Sequence, residues 1–472
     1  MNKIKTTSKN KNEFLSKIDN IKSYLESKNL DYYDIRYEDN YTSSINIQNK
    51  DIKDIKENNT SGIGIRVYKN QKLGFCSTNN INNYKYVIDK CISNTLKTNK
   101  KTKLNEFSTT KAKCKIKYTN FKDINISTKT KELQKINLDF IKKQKKDKFC
   151  EILNSNLTYM EILKKKYFVN PYSYIYQEDP HIIMYSSLVA KKDDIIEQRT
   201  HRIGHLGGLE KINFKQKEKI LVDNNDKIIE LLNSKPCPAT KSDIIITPKL
   251  SDLLAHEAIG HAAEADAVIN NSSILKLGQV ICNKDITIID DPTKKEFGYY
   301  KYDDEGILAK PRTIIKNGVV NEYLTDIESA SELNSKSNGA ARSESYSKIP
   351  IVRMSNTYFK EGKDKYKDLL DNFNGFLLDG FAGGQVDPSV GTFMFGITNA
   401  YKMKNGKIIS KFKQASISGN ILNYLKNIDS LSNKVGKFSF GFCGKGGQSA
   451  FVSGSGPYIK IKNTIIGGTK HE

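Results

Sequence analysis

The sequence predicts an α+β protein, with an N-terminal mixed α/β domain over residues 1–236 and a strand-rich domain over residues 237–472. Three observations carry this expectation. Helical and alternating apolar patterns are interspersed along the chain, with no tandem repeat. Lys235-Pro236-Cys237-Pro238 is the strongest chain break. The two sides of that break are built differently: residues 1–236 hold 46 of the 76 Lys and Arg, 28 of the 53 Asp and Glu, and only 6 of the 30 Gly. A length of 472 residues agrees with two or three domains at roughly 100–200 residues each.

The elements follow in order. Phe14, Ile18, Ile21 and Leu25 recur at helical spacing, which predicts a helix over 12–28. Alternation at Tyr33-Ile35-Tyr37 and Ile45-Ile47 predicts two strands. Ile63-Ile65-Val67 and Leu73-Phe75 predict a hairpin turning at 69–72. Tyr84, Val87, Ile88, Cys91 and Ile92 mark a second helix, and Leu133, Ile136, Phe140 and Ile141 a third. Residues 99–130 are rich in Lys and Thr and read as a long loop. Strands resume from 172 to 206, and a helix is expected over 214–233. Beyond the break come a strand at Ile244–Ile246 and a helix from Ser251 to Val268. Short strands follow at 286–289, 313–315, 319–320, 393–395, 408–409 and 459–461, with Asn317-Gly318 and Asn405-Gly406 as hairpin turns.

Several function classes fall away. The basic N-terminus leads into Thr6-Thr7-Ser8 rather than an apolar run, so no secretory signal is read there. No stretch approaches ~18 apolar residues, so no membrane span is expected. The seven Cys are scattered and never spaced CxxC, which favours a reduced, cytoplasmic setting over a disulfide framework. The net charge of +23 invites a nucleic-acid reading. Its Lys residues, however, are dispersed among Asn and Ile rather than clustered with stacking aromatics, so no nucleic-acid partner is expected.

The densest chemistry lies at His256-Glu257-Ala258-Ile259-Gly260-His261-Ala262-Ala263-Glu264-Ala265-Asp266. Zinc proteases of the HExxH type place two His at i and i+4, on one helix face. Here the spacing is i and i+5, and an ideal helix at ~100° per residue would hold the rings ~140° apart. One π-type turn would close that angle, and Gly260 would ease the distortion. The spacing alone also admits a plain polar helix with diverging rings. Two His do not complete a zinc site, which takes three protein ligands when catalytic. His181, His201, His205, His471 and Cys282 are weak candidates for the third. Cys443 sits in Gly441-Phe442-Cys443-Gly444-Lys445-Gly446-Gly447-Gln448, a stretch able to fold tightly and present a thiolate.

Five ordered motifs carry a family resemblance: His256–Asp266, Asp303-Asp304-Glu305-Gly306, Arg353-Met354-Ser355-Asn356-Thr357-Tyr358, Gly383-Gly384-Gln385-Val386-Asp387 and Cys443–Gln448, with Ile465-Ile466-Gly467-Gly468-Thr469 closing the chain. Together they resemble the TldD branch of the TldD/PmbA metallopeptidases. The likeness is clear over about 238–469. It is thinner earlier, where Gly62–Val67 and Gly74-Phe75 fit and residues 99–170 hardly do. The resemblance implies that His256, His261 and Cys443 bind one Zn2+ and that Glu257 is the general base. It also implies a recognition domain followed by a catalytic domain. The subunit would form a homodimer, or a heterodimer with a PmbA-like partner, around a secluded site that admits short or unfolded peptides.

Weaker motifs complete the reading. Glu264 and Asp266 are candidate acceptors for imidazole N–H groups. Asp303-Asp304-Glu305 is either a second cation site or a loop acid cluster. Gly383, Gly384 and Gln385 are candidate substrate-binding residues, where exposed backbone would pair with an extended peptide. Arg342 and Arg353 would take a peptide carboxylate or form surface ion pairs. A catalytically silent partner subunit is the alternative to a zinc-dependent peptidase, and a basic nucleic-acid-binding protein is the alternative from another class.

Overall fold

The computed structural model describes residues 8–102, 104, 125–144, 150–211 and 227–468. Most of the Lys-rich 99–130 segment, residues 214–226 of the helix expected over 214–233, Thr469 and His471 lie outside the described residues; residues 227–232 of that helix are helical.

The N-terminal part is one antiparallel sheet with helices on one face. In chain order it comprises α1 (Ser8–Glu26), β1 (Tyr32–Gln48), β2 (Asp51–Lys69), β3 (Lys72–Thr78), α2 (Tyr84–Thr95), α3 (Ile126–Gln144), β4 (Glu151–Val169), β5 (Tyr174–Lys192) and β6 (Ile195–Leu206). The spatial order is β3-β2-β1-β4-β5-β6. Period-two alternation sorts the faces. Ile35 and Ile65, paired across β1 and β2, pack with Ile18, Ile21 and Leu25 of α1 and with Val87, Ile88 and Cys91 of α2. Asp34 and Arg66, the neighbouring cross-strand pair, face the other way. The tight turn expected at 69–72 is present, with Asn70 and Gln71 at φ 53° and 62°.

Two expectations for this part are corrected. The segments 33–37 and 45–47 are one strand of 17 residues. Its middle, Tyr41–Ser44, has no apolar alternation and stays extended because β2 and β4 pair it on both sides. Strand β4 was not expected from the sequence. Its residues 163–167 are half-buried on both faces, so the polar-apolar contrast that reveals a strand is missing.

From Lys235 onward the chain builds a seven-stranded sheet in the order Ile428–Val435, Pro457–Gly467, Thr240–Ile246, Gly375–Asp387, Thr392–Lys404, Lys407–Asn420 and Lys235–Pro236. A second sheet of six strands runs Val319–Val320, Arg312–Lys316, Ile288–Asp290, Asn356–Phe359, Gln448–Ser455 and Gly441–Lys445. One core cluster joins them. It includes Ile244 and Ile246 on the first sheet, Ile288 and Val452 on the second, and Leu254, Ala258, Ile259 and Ala262 from the segment between. That segment is the one carrying His256 and His261.

The polar face of the N-terminal sheet meets this part through charges. Arg66 bridges Asp34 at 2.6 Å and Glu305 at 2.5 Å, all three buried. Lys166 lies 3.3 Å from Asp304, and Gln177 donates to the Tyr302 carbonyl at 2.9 Å. Among the described residues no helix is long and apolar enough to cross a membrane.

Candidate metal centre

The helix Pro248–Leu254 starts after Thr247, whose hydroxyl donates to Asp379 rather than to the helix end, and its first position is a Pro, where no backbone donor is needed. The helix then widens into a π turn over Ala255–Gly260 and tightens to a 3₁₀ turn at His261–Ala263. The His261 N–H bonds to the His256 carbonyl, five residues back. That bond puts the two imidazoles on one side, with ring centroids 5.2 Å apart and planes at 85°. Ala258, Ile259 and Ala262 are fully buried on the other side. The single helix expected over 251–268 is therefore corrected to a helix, a π turn and a 3₁₀ turn that break at Glu264, whose ψ of 121° is extended, before a short helix at Ala265–Ile269.

Gly260 has ordinary helical angles, φ −58° and ψ −51°, so backbone freedom is not why glycine stands there. Space is the reason: a Cβ at this position would lie 1.9 Å from the Met354 sulfur. Gly260→Ala is expected to cost about 1–3 kcal/mol by overpacking and to lower metal occupancy. The double variant G260A/M354A should recover most of the stability in urea unfolding. No recovery would mean that Met354 is not the obstacle.

Cys443 comes from a hairpin, Gly441–Lys445 paired with Gln448–Ser455. Gly446 and Gly447, at φ 57° and 67°, form its two-residue turn, a geometry that favours glycine at both positions. Alternation along the strand buries Cys443 and exposes Phe442 and Gly444. The Cys443 Sγ lies 3.4 Å from His261 Nε2. One ligand atom each from His256, His261 and Cys443 lies within 4.8 Å of the others. Glu257, about one-third exposed, places Oε2 3.9 Å from His261 Nε2.

The electrostatics favour a thiolate. Burial pushes the Cys443 thiol up, but hydrogen bonds from His256 and His261, with their charges, bring it down to about 5. Burial pushes His261 down, yet Cys443 and Glu264 raise it to about 10. His256 is raised too, with Cys443 outweighing burial. Two imidazoles and a thiolate are donors that suit zinc.

The chain was compared with known proteins. Residues 239–468 match the PmbA/TldA metallopeptidase C-terminal domain, and residues 33–98 match PmbA/TldA metallopeptidase domain 1. A metalloprotease of Methanothermobacter thermautotrophicus is 32% identical over 444 residues, covering 93% of this chain and 96% of that one. The chain belongs to the PmbA/TldD metallopeptidase family. The zinc metalloprotease TldD homolog of Saccharolobus solfataricus is 31% identical over 317 residues, covering 66% of this chain and 70% of that one. TldE of Thermococcus kodakarensis has the same fold, with TM-score 0.75 at 18% identity over 96% of this chain and 100% of that one.

In this PmbA/TldD chain the other candidate residues fall elsewhere. Gly383, Gly384 and Gln385 are exposed on the strand Gly375–Asp387, at an irregularity between Phe381 and Gly384 in its pairing with Thr392–Lys404. Among the described residues they share no hydrogen bond with the trio. The Asp303-Asp304-Glu305 cluster faces N–H groups and cations. Asp303 accepts from the N–H of Glu305, Ile307 and Ala341, Asp304 from that of Ser343, and Glu305 from Ile327 N–H and Arg66. It reads as a junction with the N-terminal sheet rather than a cation site.

Arg342 and Arg353 are corrected as well: among the described residues neither forms an ion pair, and Arg353, 1% exposed, is not open to a peptide carboxylate. Arg353 is buried and donates to the carbonyls of Gln448, at 3.0 Å, and Cys443, gripping the hairpin. Arg342 donates to the Met354 and Phe451 carbonyls at 2.8 and 2.6 Å. His181 is buried, with Nε2 2.9 Å from the Phe297 carbonyl, and His201 and His205 lie on β6. Cys282 is buried in the core cluster.

Sequence reasoning missed Lys445. Its ammonium lies 3.1 Å from Glu264 Oε2 and 2.7 Å from Asp266 Oδ1. The available signal was its position two residues after Cys443 on a strand, which puts both on one face.

Proposed function

We propose that the protein is a zinc-dependent peptidase of the active TldD branch, hydrolysing short or unfolded polypeptides. The observation that carries the reading is the convergence of His256, His261 and Cys443 within 4.8 Å, with Glu257 beside them. Relatives named metalloprotease and zinc metalloprotease support it. A zinc ion held by the trio would act as a Lewis acid on the scissile carbonyl and bring the pKa of a water towards ~7.

The chain's own residues supply the rest. Cys443 and the two imidazoles would hold the ion, with the thiolate state favoured by the neighbouring rings. The Glu257 carboxylate accepts the proton of the attacking water and returns it to the leaving amine nitrogen. Retention of Glu257 together with all three ligands weighs against a silent subunit. The N-terminal sheet would serve substrate recognition and contacts to a second subunit, whether another copy or a PmbA-like partner, in the cytoplasm.

The test is metal analysis of the purified protein beside Cys443→Ala, with hydrolysis of an unstructured peptide followed before and after chelation. About one zinc per wild-type chain is expected, with the variant largely depleted and inactive. Equal zinc in both would remove Cys443 from the site, and chelation without effect would remove the metal from the reaction.

A further inference from the structure

Two segments that lie far apart in sequence supply the site, and they are joined a second time away from the ligand atoms. Lys445, on the Cys443 strand, places its ammonium 3.1 Å from Glu264 Oε2, 2.7 Å from Asp266 Oδ1 and 3.1 Å from the Val352 carbonyl. Glu264 and Asp266 belong to the His261 segment. The Glu264 side chain is 2% exposed, and its Oε2 also lies 3.0 Å from His261 Nδ1. Its Oε1 has no hydrogen-bond partner among the described residues. With Nδ1–H donating to that carboxylate, the ring turns Nε2 towards Cys443 Sγ, 3.4 Å away.

We infer that Lys445 and Glu264 are positioning residues that set the spacing and orientation of His261 and Cys443. The inference rests on the metal-centre reading above. A carboxylate buried this deeply is costly unless it is paired and hydrogen-bonded. The ammonium beside Glu264 is carried by the Cys443 hairpin, so Glu264 gains this cation only when that hairpin is docked. Docking the hairpin also brings the thiol to the imidazoles. Charge pairing and ligand spacing are one event. Without the ammonium, Glu264 loses the cation that ties it to the hairpin, and His261 loses the fixed acceptor that orients its ring, as happens when outer partners of metal-bound imidazoles are removed.

The experiment measures zinc affinity by competition with a chromophoric chelator, and ligand geometry from the visible spectrum of the Co2+-loaded protein. The proteins are wild type, K445M, K445R, E264Q and K445M/E264Q. K445M and E264Q should each weaken zinc binding by ~10–100-fold and change the cobalt spectrum, while K445R recovers most of the affinity. Because Lys445 acts through Glu264, the double variant should bind no more weakly than the worse single one. Wild-type affinity in K445M, or two losses that simply add, would overturn the inference and leave the metal centre standing. Absence of zinc binding by the wild type would overturn both. If K445M does not fold, E264Q decides: unchanged affinity and an unchanged cobalt spectrum there overturn the inference, and weakened binding supports it.

Discussion

Replacing Glu257 with Gln should leave zinc content unchanged and lower hydrolysis of an unstructured peptide by about 10²–10⁴-fold. The geometry separates the two readouts. The converging donors come from His256, His261 and Cys443, and Glu257 is not among them. Its carboxylate stands 3.9 Å from His261 Nε2, with one-third of the side chain exposed, where a substrate and a water can reach it. Gln keeps the volume and the surrounding contacts but cannot take up a proton. The loss should therefore fall on kcat, with the cobalt spectrum preserved. Full activity in E257Q would exclude Glu257 as the base, and loss of zinc would make it a ligand instead.

The second large effect concerns stability. Asp290 and Arg312 are both fully buried and paired, and Ser355 and Thr357 complete the carboxylate with hydrogen bonds of 2.7 to 2.8 Å. Asp290→Asn keeps the shape but leaves the guanidinium without its counter-charge. Breaking a buried pair from one side costs about 3–5 kcal/mol, read here as a lowered urea midpoint. Ser355 follows Met354, the residue packed against Gly260, so metal occupancy should fall as well.

The pH dependence has a definite sign. Burial pushes the Asp290 carboxyl up, but the Arg312 charge and the hydrogen bonds outweigh it and hold it below its ordinary value. A depressed folded-state value contributes stability in full above the unfolded pKa of ~3.9. That contribution is lost as pH falls through the folded value. The gap between wild type and D290N should be flat near neutrality and narrow only below pH ~4. A gap that narrows already at pH 6 would assign the stabilisation to another group.

Legibility followed the range of the interaction. Helices with a full apolar stripe, such as Ile18-Ile21-Leu25, were readable, as were turns that require a positive φ. Strand β4 was not, because Lys164, Lys165 and Lys166 interrupt the alternation while the neighbours on both sides keep the backbone extended. The strand Gly375–Asp387 was equally hidden, its glycines offering no side-chain contrast. At the site, the i to i+5 spacing of His256 and His261 admitted either a π turn or a straight helix with diverging rings, and the fold takes the π turn over Ala255–Gly260. The partners of Asp303, Asp304 and Glu305 could not be named in advance, since they lie on other strands and loops.

The sequence by itself determined which short segments could carry the chemistry. The spacing of two His around a Glu, the buried Ala and Ile positions behind them and the Gly446-Gly447 turn are set by backbone periodicity and local sterics. Only the tertiary structure decided that Cys443 meets His261 across 182 residues, that Lys445 bridges to Glu264, and that Arg353 grips the hairpin instead of a substrate. Those contacts depend on how sheets register and pack against a common core. No local pattern encodes that register, because it is fixed by the summed burial of residues distant in the chain.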